Sequence, residues 1–226
     1  MVAEAVLAVS AESYAAAYQR DGYVRVRRVF PLDEVRRLSA ELDQLALMTE
    51  NRPWTGNWRA SAPQPKDGQY ALKARHGVHT SSPDWAHAIT DGRLQAVAEG
   101  LLGARARLDH STMLIKPPET GQPFPLHQDA PYFAHDTPLV LLAIHLDTTT
   151  PENGALRFLP GLHAGLLPHV RDAKAFLDPE HYRLADAVEV CAEAGDVVAF
   201  SVFTPHGSYP NRSTETRRLV RVGWRA

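Results

Sequence analysis

The sequence predicts a mainly β fold, a sandwich or barrel of short strands, with α-helices ahead of it. Three observations point there. From about residue 105 onward, seven or eight short apolar segments are parted by Pro/Gly turns, the spacing of an all-β sandwich or barrel. Before that boundary, residues 11–48 read as helical around one short strand, and two short helices follow after residue 80. The chain has 226 residues, 44% hydrophobic and 22% charged, which suffices for one sizeable core. No repeat, low-complexity tract or interdomain linker interrupts it. One domain is expected over 1–226, with a helical part over 1–104 and a strand core over 105–226.

Each element follows from its own pattern. In "DGYVRVRRVF", Val24 and Val26 alternate with Arg25 and Arg27, a strand with one covered face. "PLDEVRRLSAELDQLALM" places Pro31 at a helix start and acids in the first turn. Val35, Leu38, Leu42 and Leu45 then share one stripe, which packs on the core. Residues 50–80 have no clear period and are rich in Pro, Gly, Trp and cations, as in a long loop or lid. "SSPDWAHAI" and "DGRLQAVAEGLLG" read as helices, the second closed by Gly103. The expected strands are "ARLDHSTMLIK", "FPLHQDAPYF", "PLVLLAIHLD", "GALRFLP", "AVEVCAE", "DVVAFSVFTPHG" and "RRLVRVGW". Only "DAKAFLDPEHYR" reads as a helical insert among them.

Composition excludes several functions. A net charge of -2 leaves no electrostatic footprint for nucleic acid or an anionic membrane. The single cysteine, Cys191, rules out an internal disulfide and a Cys-based zinc cluster; its strand-like setting suggests buried filler. The Ala-rich start has no positive segment of a signal peptide, and no run approaches the roughly 18 to 20 apolar residues of a membrane span. A cytoplasmic protein acting on a small molecule is expected, as a monomer or homodimer.

The chemistry is concentrated in "PLHQDAPYF". Residues i and i+2 of a strand point to one face, so His127 and Asp129 present an imidazole and a carboxylate side by side in an apolar frame. Two polar groups there cost free energy unless something satisfies them. They are two-thirds of a 2-His-1-carboxylate facial triad, which leaves open positions on Fe(II). His-x-Asp recurs as His145 and Asp147, so the motif alone does not choose. A third ligand has to come from a distant strand, and His206 stands where an apolar run breaks into a polar turn. Arg217, eleven residues later, could fork a carboxylate bidentately. Ser208 could add a hydroxyl to the same group.

Taken together, "LIKPP", "PFPLHQDAPYF", "LDTTTPENGALRFLPGLH", "AGDVVAF" and "HGSYPNRSTETRR" resemble, in order, the phytanoyl-CoA dioxygenase family of Fe(II)/2-oxoglutarate oxygenases. The likeness extends from the "DGYVRVRRVF" opening over roughly residues 20–222. It implies a double-stranded β-helix, or jelly roll. It implies Fe(II) held by His127, Asp129 and His206, with O2 as oxidant and 2-oxoglutarate as cosubstrate. Arg217 and Ser208 would bind the far carboxylate of 2-oxoglutarate, and Phe124 would pack along it. It also makes His145 an ordinary strand residue. Strand parity instead nominates Arg218, which shares a face with Val220, Val222 and Trp224, unless helices cover that apolar face from outside.

The filled Asp129 position implies hydroxylation or a related oxidation rather than halogenation. Candidate substrate contacts are Tyr132 and Phe133 just past the aspartate, Lys116 at a strand end, and Trp58, Arg59, Lys73 and His76 on the lid segment. His135 and Asp136 border them, and His110, His169 and His181 read as ordinary hydrogen-bonding residues. Gly161-Leu162-His163 departs from the family's Gly-Ser-His. The sequence stops at Ala226, just after the last expected strand, so cover for the site is expected from the 50–80 loop or a second subunit. A metal-dependent jelly-roll enzyme without 2-oxoglutarate and a non-catalytic jelly-roll binding protein are the alternatives. The substrate class suggested is a small natural product or amino-acid-like metabolite.

Overall fold

The computed structural model describes residues 11–49, 52–53, 71–133, 138–170 and 176–226. Helix α1 (Ala11–Asp21) leads into strand β1 (Tyr23–Val26), and helix α2 (Leu32–Leu47) follows. Strands β2 (Arg52–Pro53) and β3 (Ala71–His76) precede helices α3 (Val78–Ser81), α4 (Pro83–Thr90) and α5 (Arg93–Leu102). The remaining strands are β4 (Arg107–Lys116), β5 (Phe124–His127), β6 (Leu139–His145), β7 (Leu156–Phe158), β8 (Val188–Val190), β9 (Val197–Ser201), β10 (His206–Ser208) and β11 (Arg217–Arg225). They form a large antiparallel sheet in the order β1-β9-β6-β11-β4-β3-β2 and a small one in the order β5-β10-β7-β8. This is the jelly roll that the sequence leads one to expect.

Alternation along the central strands builds two cores from one sheet. On β6, Val140, Leu142 and Ile144 face outward, while Leu139, Leu141 and Ala143 face the small sheet. Strand β11 does the same with Val220, Val222 and Trp224 against Leu219. The outer core takes Leu38, Leu42 and Leu45 of α2, Trp85 of α4, and Leu94 and Leu101 of α5. Helix α4 is started by Ser82, whose side chain accepts from Trp85 N, and Trp85 Nε1 donates to the Leu38 carbonyl. Helix α5 ends at Gly103 in the left-handed conformation, with its N–H on the Glu99 carbonyl. The inner core joins the sheets through Leu156 and Phe158 of β7 against Val198 and Phe200 of β9.

Several expectations change. "DVVAFSVFTPHG" is not one strand: β9 ends at Ser201, a turn closes with Thr204 N on the Ser201 carbonyl, and β10 begins in the other sheet. Residues 71–76, expected in a loop, form β3 beside β4. The helical insert expected from Asp172 is absent over residues 176–183, where Phe176 bridges to His127 and Leu177 to His169. Cys191 is exposed, because β8 is an edge strand and Cys191 lies just beyond its end. Among the described residues, no helix is long and apolar enough to cross a membrane.

His145, the last residue of β6, is wholly buried, and neither ring nitrogen has a hydrogen-bond partner among the described residues. Burial, aided by Arg217, pushes its pKa down to about 3. Below about pH 6.5 the unfolded chain binds a proton that the folded chain refuses until about pH 3, so stability falls as pH falls through that window. His145→Leu is expected to be at least as stable as the parent at pH 7 and to gain on it by about 2 kcal/mol at pH 5. Urea unfolding at the two pH values measures the difference, and parallel losses in both proteins would count against it.

Candidate metal centre and adjoining cavity

The centre begins with two strands in register. His127 ends β5 directly opposite His206 at the start of β10, and their ring centroids are 4.1 Å apart. The expectation that Asp129 continues the same strand fails. The chain leaves β5 after His127, and Asp129 takes helical dihedrals at the head of a 3-10 turn over Ala130–Tyr132. That turn is anchored by Ala130 N on the Val202 carbonyl. Gln128 is the staple: its amide donates to the Gly165 and Phe203 carbonyls and accepts from Leu167 N. The Asp129 carboxylate is thereby brought back to 3.9 Å from His127 Nε2 and 3.7 Å from His206 Nε2.

Hydrogen bonding sets the imidazole tautomers. His127 Nδ1 lies 2.8 Å from the Pro125 carbonyl and His206 Nδ1 lies 3.0 Å from the Thr204 carbonyl. A carbonyl only accepts, so each Nδ1 carries the proton and each Nε2 keeps its lone pair. Burial pushes both imidazoles toward the neutral form, His206 to about 3. Asp129 is buried too, yet the Arg221 guanidinium, charged and hydrogen-bonded to it, leads in overcoming that effect and holding its pKa at about 2. Two neutral imidazoles and one carboxylate, with donor atoms within 4.8 Å of one another, could hold a divalent metal ion.

This centre is part of the wall of a cavity of about 600 Å³. Phe124, Ser208 and Arg217 contribute to the same wall, as do Phe133, Tyr132 at the rim, and His76. Arg217 is buried, and its Nε and Nη1 have no partner among the described residues. Arg218 points to the opposite face and pairs with Asp43 of α2 and Asp147. Arg217, not Arg218, therefore faces the cavity, and helices cover the apolar outer face of β11.

Other candidates are placed differently. Lys73 sits on the far face of β3 and donates to the Ala46 carbonyl, while Leu72, Ala74 and His76 face the cavity. Lys116 is buried behind Ser208 and is not part of the wall. Trp58, Arg59, His135 and Asp136 lie outside the described residues.

Sequence reasoning missed three residues. Arg221 Nη1 donates to Asp129 Oδ2 at 2.6 Å; its spacing of four from Arg217 on one strand was the available signal. Asp109 and His110 also border the cavity. His110 Nδ1 lies 2.7 Å from Asp109 Oδ2, Asp109 accepts from Arg225 at 2.9 Å, and the His110 ring stacks on Phe133. His110 makes the ordinary hydrogen bond expected of it, but from the cavity wall. Its ring lies over Gly223, where a Cβ would come within 2.3 Å, and no sequence pattern announces that contact.

Comparison with known proteins places this geometry in context. The sequence matches the phytanoyl-CoA dioxygenase (PhyH) family over residues 18–219. Methylphosphonate hydroxylase of Gimesia maris is 27% identical, the match covering 92% of this chain and 78% of that protein. L-proline trans-4-hydroxylase of Streptomyces griseoviridis is 27% identical over 91% of this chain and 82% of its own length. The crystal structure of the epimerase SnoN, in complex with Fe3+, alpha ketoglutarate and nogalamycin RO, superposes with a TM-score of 0.80 at 26% identity, covering 96% of this chain and 84% of SnoN.

The Asp129–Arg221 pair is testable without any metal. Asp129→Ala is expected to cost the metal-free protein about 3 kcal/mol, because the mostly buried guanidinium loses its partner. The double variant Asp129→Ala/Arg221→Met should recover most of that loss. Equal stabilities of the single and double variants in urea unfolding would show the two groups to be uncoupled.

Proposed function

This chain belongs to the phytanoyl-CoA dioxygenase family, and from that premise we propose that His127, Asp129 and His206 hold its iron while Arg217, Ser208 and Phe124 receive its 2-oxoglutarate. The protein is a 2-oxoglutarate-dependent non-haem iron oxygenase acting on a small molecule. One observation carries the residue assignment. A two-imidazole, one-carboxylate donor set and a buried arginine with unpaired N–H groups share the wall of one cavity.

The residues fit both groups. The donor set is that of a facial triad, and the lone pairs on His127 and His206 are kept available by the carbonyls of Pro125 and Thr204. Arg217 lies in an apolar surround where its unpaired Nε and Nη1 cost free energy until an anion accepts from them. Bound iron and 2-oxoglutarate supply O2-driven decarboxylation of the keto acid to succinate and CO2, coupled to transfer of one oxygen atom to a substrate C–H bond.

The chain's own residues do the rest. Arg221 fixes one oxygen of Asp129 and so the orientation of the carboxylate. Phe133, Phe176, Phe200 and Leu219 give the cavity apolar walls that exclude water. On the cavity wall, Thr112, His76 and His110 offer polar contacts, with Asp109 holding the His110 tautomer that leaves Nε2 as an acceptor. A cavity of this size and lining suits a compact metabolite with one apolar flank and at least one hydroxyl or amine. Hydroxylation in the tailoring of a natural product or amino-acid-like metabolite is the reading that these contacts favour.

Anaerobic titration of the Fe(II) protein with 2-oxoglutarate tests the assignment. A visible metal-to-keto-acid charge-transfer band is expected, and it should be lost in Asp129→Ala and His206→Ala. Arg217→Ala is expected to weaken 2-oxoglutarate about 100-fold. Arg218→Ala should leave that affinity within about twofold while lowering stability by about 1 kcal/mol. The reverse ranking of the two arginines would overturn the assignment.

A further inference from the structure

Lys116 is the most deeply buried cation near the cavity, and the oxygenase reading above gives it no task. It ends β4, backbone-paired with Arg217 on β11, and is completely enclosed. Its Nζ donates to Ser208 Oγ at 2.7 Å and to the Tyr209 carbonyl at 2.5 Å, and it lies 5.5 Å from the centre of the Phe124 ring. No carboxylate among the described residues forms an ion pair with it. An amine held only by neutral groups in such a place is costly unless an anion comes near.

Besides the Tyr209 carbonyl, the groups about it are Ser208, Phe124 and its strand partner Arg217, the residues assigned to 2-oxoglutarate. Space for it is kept by Gly154, which has a φ of +83°; a Cβ there would stand 3.0 Å from Nζ and 2.6 Å from the Tyr209 carbonyl. A hydroxyl that accepts from an amine must aim its own hydrogen elsewhere. Ser208 is part of the cavity wall, so that hydrogen is directed to what the cavity holds.

We propose that Lys116 is a positioning residue that selects a dicarboxylate keto acid: it fixes Ser208 as a donor and places a second cation behind the carboxylate that Arg217 receives. The inference rests on the 2-oxoglutarate reading. It gives Lys116 no contact with the cosubstrate; the lysine acts through Ser208 and through its charge. A cavity end with one arginine would accept a carboxylate. An arginine, an oriented hydroxyl and a buried amine together penalise a keto acid that leaves all three without an anion.

The test compares 2-oxoglutarate with 2-oxovalerate, which keeps the metal-binding keto-acid end and lacks the distal carboxylate. Each is titrated anaerobically into the Fe(II) protein and read by the charge-transfer band, in the parent and in Lys116→Met. Affinity for 2-oxoglutarate is expected to fall about 10- to 100-fold while that for 2-oxovalerate stays within about twofold. Lys116→Gln, which keeps a donor without the charge, is expected to fall between the two and serves if Lys116→Met does not fold. Equal losses for both keto acids, or unchanged 2-oxoglutarate affinity, would overturn the proposal. Absence of the band in the parent protein with 2-oxoglutarate would instead overturn the reading beneath it.

Discussion

Strand β11 is the constraint on which the rest of the structure depends. It is hydrogen-bonded to β4 on one side and β6 on the other, and both of its faces are covered. Val220, Val222 and Trp224 are locked beneath the helices, and Arg218 reaches out to Asp43 of α2 and to Asp147. A slip of one residue would turn every one of these side chains to the wrong face. The inner residues Arg217, Leu219, Arg221 and Gly223 therefore hold their places because of packing on the other side of the sheet. The apolar core specifies the polar site through a backbone that both share.

The charges inside the jelly roll fall into two unlike arrangements. At the metal centre, Asp129 meets Arg221, and the pair is nearly balanced before any ion arrives. Around Ser208, Lys116 and Arg217 lie on paired strands without a carboxylate hydrogen-bonded to either among the described residues. Burial and mutual repulsion push the Lys116 pKa well below its ordinary value, and burial pulls that of Arg217 to about 10. Such an imbalance destabilises the empty protein and favours an anion. Aromatic side chains between the two ends keep water away and sharpen the contrast.

Much of the fold was legible because it is written in periodicity. The stripe Val35, Leu38, Leu42 and Leu45, the alternation of Val24 and Val26, and Gly103 after an apolar helix each carry a local physical cause. The apolar run "PLVLLAIHLD" was legible as a strand, and β6 is buried along its whole length. Where local cause was weak, reading failed. "ALKARH" has too little hydrophobic contrast to stand out as β3, and "DVVAFSVFTPHG" gives no local sign that Ser201–Thr204 carries the chain between sheets.

The site divides in the same way. By itself, the sequence nominated His127, Asp129, His206 and Arg217, because their residue types and order are already chemical information. It could not say that Asp129 leaves the strand, that Arg217 rather than Arg218 faces inward, or that Lys73 turns away while Lys116 lies behind Ser208. Nor could it give Arg221 to Asp129, or Asp109 to His110 above Gly223. Those outcomes depend on which face each strand buries and on what lies across from it. Register and facing are decided by contacts between residues far apart in the chain, and only the folded structure brings them together.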